Sequence, residues 1–255
     1  MTAPEPFPGS NEVMSQQVAS AAAEAEELLR SGEPLLAYDA IQQSLEKWPR
    51  DCRLRQLRGL ALARSGAVRR ANEELLALRQ EGCADGETLG LLARTHKDLA
   101  LAAPPGPIRA KHLAAAFEIY STGYRESGRQ GNDADGYYTG INAATMALLL
   151  GNTESAREIA TDVQEICTRV LRKDRSRPGD AYWPQATLAE AALILGNRET
   201  AQEYYATAAS LAGTHYGDIS STRHQARLLL EHIGDSGEWL DEVMQLPPVV
   251  AYTGH

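Results

Sequence analysis

The 255-residue sequence is short of Phe, with two, and of Val and Ile, and it has three Cys. The scarcity of β-branched residues disfavours sheet, because Ala and Leu fill the apolar positions instead and are strong helix formers. Cys52, Cys83 and Cys167 are odd in number and form no CxxC pair. That argues against a disulfide framework and for a reducing, cytoplasmic setting. Positive charge is also in deficit. A net charge of −9 and a pI near 5.2 leave no broad basic stripe to displace counterions, so nucleic acid is not an expected partner. No run of about 18 apolar residues occurs, so no membrane span is expected. The lead "MTAPEPFPGSNEV" lacks the basic start and apolar run of a signal peptide.

Catalytic signatures are absent too. There is no HExxH, no GxSxG, and no metal-ligand spacing among His96, His112, His215, His224, His232 and His255. His224 and His232, eight apart, share a helix face at most. Cys167 falls on an apolar helix face, where a thiol is inert. Glu24 and Glu27 read as a solvated face rather than an acid/base pair. The local basic cluster Arg169, Arg172, Lys173, Arg175 and Arg177 suits a helix C-terminus, where the macrodipole is negative. No enzyme activity, cofactor or metal is expected.

What is present is a repeat. "AAAEAEELLRSG", "RLRQLRGLALARSG", "NAATMALLLG" and "QATLAEAALILG" each end on Gly, at 32, 66, 151 and 196. Gly just past a helix relieves the strain of a left-handed terminal residue. Gly32 and Gly66 are 34 residues apart, the period of tetratricopeptide helix hairpins. With these Gly residues at position 15, position 8 reads Ala25, Gly59, Ala144 and Ala189. Position 20 reads Ala37, Ala71, Ala156 and Ala201. Both are positions where paired helices touch. "LLLGNTESA" echoes "LILGNRETA" 45 residues later, with Asn152 and Asn197 as helix caps. A third hairpin is expected around "PPGP", and a loop over "SGRQGNDADG". "DISSTRHQARLLLEHIG" is expected as a closing helix and "GEWLDEVMQL" as a short helix beyond it.

In this register "YYTGINAATMALLLG" is the first helix of the fourth hairpin. Gly136 lies before it, and Gly140 within it admits close approach of a neighbouring helix or a ligand. A phosphate loop is rejected, since no strand precedes the glycines. Tyr138 and Trp183 fall at position 2, Asn142 at position 6, and Arg94, Lys97 and Glu190 near positions 9 and 12. Such positions line the concave groove of a hairpin array, where they would contact a peptide. The alternative is helix packing plus solvated charge. A carboxylate clamp is doubtful, because Trp183 and Thr187 occupy its Lys and Arg positions.

"YYTGINAATMALLLG" followed by "AYWPQATLAEAALILGNRETAQEYYATAASLA" resembles the central, TRAF-binding-type regulatory region of apoptosis signal-regulating kinases. Tyr138, Gly140, Ile141, Asn142, Gly151, Tyr182 and Trp183 carry the resemblance, over residues 137–212. It implies a non-catalytic scaffold that receives partners and controls an effector. The Ala and Arg content points to a bacterial relative, and no kinase motif is present.

The expectation is an all-α right-handed solenoid of about five tetratricopeptide-like hairpins with a C-terminal capping helix. Residues 1–13 read as a disordered lead and 14–245 as the array. Residues 246–255, "LPPVVAYTGH" from Leu246, read as a linker or the first strand of a following, truncated α/β domain. The expected function is a protein-interaction and regulatory scaffold that binds a peptide or partner domain and acts on an effector in cis. A sensing or oligomerisation arm of a multidomain signalling enzyme is the alternative. Self-association stays open.

Overall fold

The computed structural model describes residues 8–173 and 181–246. They form α1 (Pro8–Ser31), α2 (Pro34–Lys47), α3 (Cys52–Arg64), α4 (Val68–Gln80), α5 (Gly86–Ala102) and α6 (Pro107–Gln130). Then come α7 (Asp133–Leu149), α8 (Thr153–Lys173), α9 (Tyr182–Leu195), α10 (Arg198–Ala212), α11 (Tyr216–Ile233) and α12 (Glu238–Val243). No strand occurs among the described residues. The fold is all-α, with consecutive helices paired as tetratricopeptide-like hairpins.

The glycine punctuation has one physical form. Gly32, Gly66, Gly151 and Gly196 take φ of 84–88°. At each, the Gly N–H and the next N–H donate back to carbonyls of the last helical turn, as in Gly151 to Leu148 (2.9 Å) and Asn152 to Ala147 (2.8 Å). This closes the first helix and turns the chain into the second. The expected small contacts are also in place. Ala25, Ala37, Ala71, Ala144, Ala156, Ala189 and Ala201 are fully buried, and Gly59 lies against Leu75. Helices that meet at Ala or Gly approach closely, so the Leu side chains on either side interlock.

The chain divides into two compact units, Met1–Thr95 and His96–His255. The first has a core of Leu29, Ile41, Leu45, Leu54 and Leu57 with Ala residues between. The second is larger, built on Ile141, Val163, Leu193, Tyr205, Leu229 and Leu240. In it α7 and α9 are buried on nearly every side. Their hydrophobic character all round, rather than on one stripe, is what an enclosed helix requires.

Three expectations are corrected. Gly136 does not precede its helix. Asn132 caps α7 by accepting from the Asp135 N–H (3.2 Å), so the helix starts at Asp133 and the expected loop shrinks to Gly131 and Asn132. Asn197 stands at the start of α10 but makes no side-chain cap bond, whereas Asn152 accepts from Ser155 (3.3 Å). Cys52 and Cys83, finally, are disulfide-bonded, with Cα atoms 6.1 Å apart. An antiparallel hairpin sets the start of α3 beside the end of α4, where Arg55 also reaches Glu81. Residues 31 apart in sequence thus become neighbours, and the cysteine argument for a reducing compartment falls.

α1 begins at Pro8, ahead of the expected start of the array at residue 14. The rest of the lead (residues 1–7), Arg175 and Arg177, and the expected strand in 247–255 lie outside the described residues. Of the basic cluster, Arg172 and Lys173 end α8. Arg169 and Lys173 both bond Asp133 (2.7 and 3.1 Å).

Candidate functional site

Within the second unit, the first helices of successive hairpins each present a polar side chain at the expected groove positions. Lys97 comes from α5, Asn142 from α7 and Glu190 from α9. They do not face an open groove. Their exposures are 7, 8 and 8%, because α11 lies against them. Lys97 Nζ donates to Asn142 Oδ1 (3.2 Å) and to Gln225 Oε1 of α11 (2.8 Å). Gln225 Nε2 donates to Thr145 Oγ1 on α7 (3.0 Å), and the Thr145 hydroxyl donates to the Ile141 carbonyl (3.0 Å). Asn142 Nδ2 is held by the Tyr138 carbonyl (2.9 Å). One turn earlier on α11, Thr222 shares a hydrogen bond with the Tyr182 hydroxyl of α9 (2.8 Å).

Burying charge is costly unless partners replace water. Here they do so incompletely for Glu190. Burial pushes its pKa up to about 7, while the positive charge of Lys97 and a hydrogen bond with Gln225 pull it back. The neighbouring Tyr205 hydroxyl is raised by burial and then by Glu190. Cys167, also buried, is pushed up to about 12 by burial and then by Glu190. A thiol held that far from ionisation is a poor nucleophile. The arrangement offers no activated nucleophile.

Tyr138 and Trp183 remain on the surface at 38 and 42% exposure. Each ring is braced edge-on, by Tyr120 and Tyr182 respectively. Both stand in the first halves of their helices. Arg94 lies in the first unit and is half-buried. Gly140 admits a close helix approach. A Cβ there would meet Val163 of α8 at 2.6 Å and the Tyr124 ring of α6 at 2.9 Å.

The site residues that sequence reasoning missed are Gln225, Thr222 and Thr145. Asp218, Thr222 and Gln225 share one face of a helix that is polar on its other faces too, so nothing set them apart or named their counterparts, 80 residues away for Thr145 and 128 for Lys97. The first unit carries a related feature. Buried Gln56 of α3 donates to Asp85 (2.8 Å) and Thr88 (2.9 Å) at the start of α5. Arg53 beside it pairs with Glu26 and Glu87.

Among the described residues, no group of three His, Cys, Asp or Glu converges to hold a metal ion. No described helix is long and apolar enough to cross a membrane. Comparison with curated proteins yields no match. Residues 37–147, from α2 into α7, match the family described as Tetratricopeptide Repeats-Sensor. With the hairpin order and the small contact positions, that match supports a protein of the tetratricopeptide-repeat type.

Proposed function

We propose that this chain is a non-catalytic interaction and sensing scaffold that receives a peptide or partner domain on its first-helix face and relays the bound state to an effector in cis. The observation that carries the reading is the alignment of Lys97, Asn142 and Glu190 on α5, α7 and α9, where α11 now covers them. Exposed Tyr138 and Trp183 flank them on the same helices. Aromatic rings beside satisfied polar groups are the usual makings of a recognition surface, with the rings supplying anchors and the polar groups register. Arg94, in the first unit, is proposed as a partner contact of that unit by its register position alone. The resemblance to kinase regulatory regions favours the same reading, in a bacterial relative if the Ala and Arg content is the guide.

A second reading, the sensing or oligomerisation arm of a multidomain signalling enzyme, is favoured by the description of the matched family as a sensor. Both readings predict no turnover by this chain. The test is affinity capture with the full chain and with Tyr138→Ala/Trp183→Ala. Recovery of a bound protein by the parent and about tenfold less by the double variant is expected. Equal recovery by both would show that the aromatic face is not the contact. Nucleotide turnover by the purified chain would overturn the non-catalytic reading.

A further inference from the structure

We propose that α11 is a displaceable resident of the recognition face, and that the partner is an amphipathic helix carrying an amide side chain where α11 carries Gln225. This rests on the proposed role of the face and names its occupant. α11 does more than close the end of the array. Its side chains reach α9 through Thr222, α7 through Thr145 and α5 through Lys97, so it lies across three hairpins.

The chemistry of the joint suits separation. The buried stripe of α11 contains Asp218, Thr222 and Gln225 beside Ile219, Ala226, Leu229 and Leu230. The surface beneath contains Lys97, Asn142, Thr145 and Glu190. Polar groups that part can be satisfied by water, so opening this joint exposes less apolar area than opening an all-Leu contact would. Both ends of α11 meet glycines of positive φ, Gly213 (φ 56°) before it and the left-handed Gly234 and Gly237 (φ 78° and 68°) after it. Outer anchoring comes from α12, where Asp241 pairs with Arg223 and Arg227. Arg227 and Asp241 are both exposed, so that pair is weak, whereas Arg223 is mostly buried and also donates to the Met244 carbonyl (2.9 Å).

The joint also specifies what can replace α11. At one position the occupant must accept from the Lys97 ammonium and donate to Thr145 and Glu190. A carboxylate cannot donate, and an ammonium cannot accept. A Gln side chain does both. A competing helix therefore needs an amide at that place, a small or hydroxyl residue one turn before, and Leu one turn after. The tethered α11 holds the face at a high effective concentration, so a free helix binds weakly until α11 is loosened.

The test uses the full chain and a fluorescein-labelled synthetic peptide of residues 214–235, followed by anisotropy, with hydrogen exchange reporting on α11. Two variants loosen α11 by different routes: Gln225→Leu removes the amide from within, and Asp241→Ala removes the outer pairs without touching the core. Expected are weak binding to the parent, about tenfold tighter binding to each variant, and faster exchange in α11 than in α7 and α9. A peptide with Leu at position 225 should lose about tenfold. Circular dichroism checks folding, and Asp241→Ala keeps the test intact if Gln225→Leu misfolds. No peptide binding by folded variants, or α11 exchange as slow as that of α7 and α9, overturns the resident-helix inference. If capture through Tyr138 and Trp183 persists in that case, the face itself still stands. If the peptide binds but capture is independent of those rings, the aromatic contact fails and the resident helix stands.

Discussion

Glu190 links a single protonation to the stability of the second unit. Its pKa rises from an ordinary 4.5 to about 7, because burial disfavours the carboxylate more than Lys97 and Gln225 favour it. The folded chain then holds the proton more tightly than the unfolded chain. The stability this supplies is full below pH 4.5 and is lost as pH climbs through 7. The groups facing Glu190 are Lys97, Cys167, Tyr205 and Gln225. His96, lowered by burial and by His112 and Lys111, acts oppositely, its contribution being lost as pH falls towards and through 6.5. Comparison of the parent with Glu190→Gln between pH 6.5 and 8 therefore isolates Glu190. Melting temperature should fall across this window in the parent but not in Glu190→Gln. A parallel slope in both would assign the titration elsewhere. Gly140 is the other decisive single residue. A methyl there gains about 1 kcal/mol of helix propensity but collides with Val163 and Tyr124, at a cost of about 1–3 kcal/mol. Gly140→Ala should therefore lose roughly 1 kcal/mol in urea unfolding, and a gain in stability would show that α6 and α8 give way freely.

At the scale of elements, the hairpin was legible and its covalent lock was not. Gly at the end of each first helix and Ala at each crossing are local signals, tied to backbone sign and helix separation, and they fall where the period puts them. Cys52 and Cys83 form no motif along the chain. Only pairing α3 with α4 in space brings them together. The cap positions show the same division. Asn152 bonds as its sequence context suggests, while Asn197, in a nearly identical context, does not, and nothing in the structure explains the difference. The disulfide links residues 31 apart in sequence, a constraint on the unfolded chain worth about 3.7 kcal/mol. Reduction, or Cys52→Ser/Cys83→Ser, should lower stability by that order and raise hydrogen exchange in α3 and α4. Unchanged exchange there under reductant would mean that the hairpin core alone sets the local stability.

At the scale of the whole molecule, sequence register located Lys97, Asn142 and Glu190 on one face, because all three belong to a repeat whose geometry is local. It could not say whether that face was open. Openness depends on α11, which comes from beyond the last hairpin and whose amide meets Lys97 across 128 residues. No periodic signal spans that distance. The consequence is a coupling between residue and element. When Glu190 ionises, Gln225 must serve a carboxylate and an ammonium at once in a site that excludes water, and the free energy favouring closure falls. Hydrogen exchange of the intact chain at pH 6.5 and pH 8 should show protection of α11 falling at the higher pH by more than that of α7 or α9. Glu190→Gln, whose side chain carries no charge at either pH, should abolish the difference. If α11 protection were the same at both pH values in the parent, Glu190 would tune stability without gating the face. Binding by the partner helix would then be independent of pH over this window.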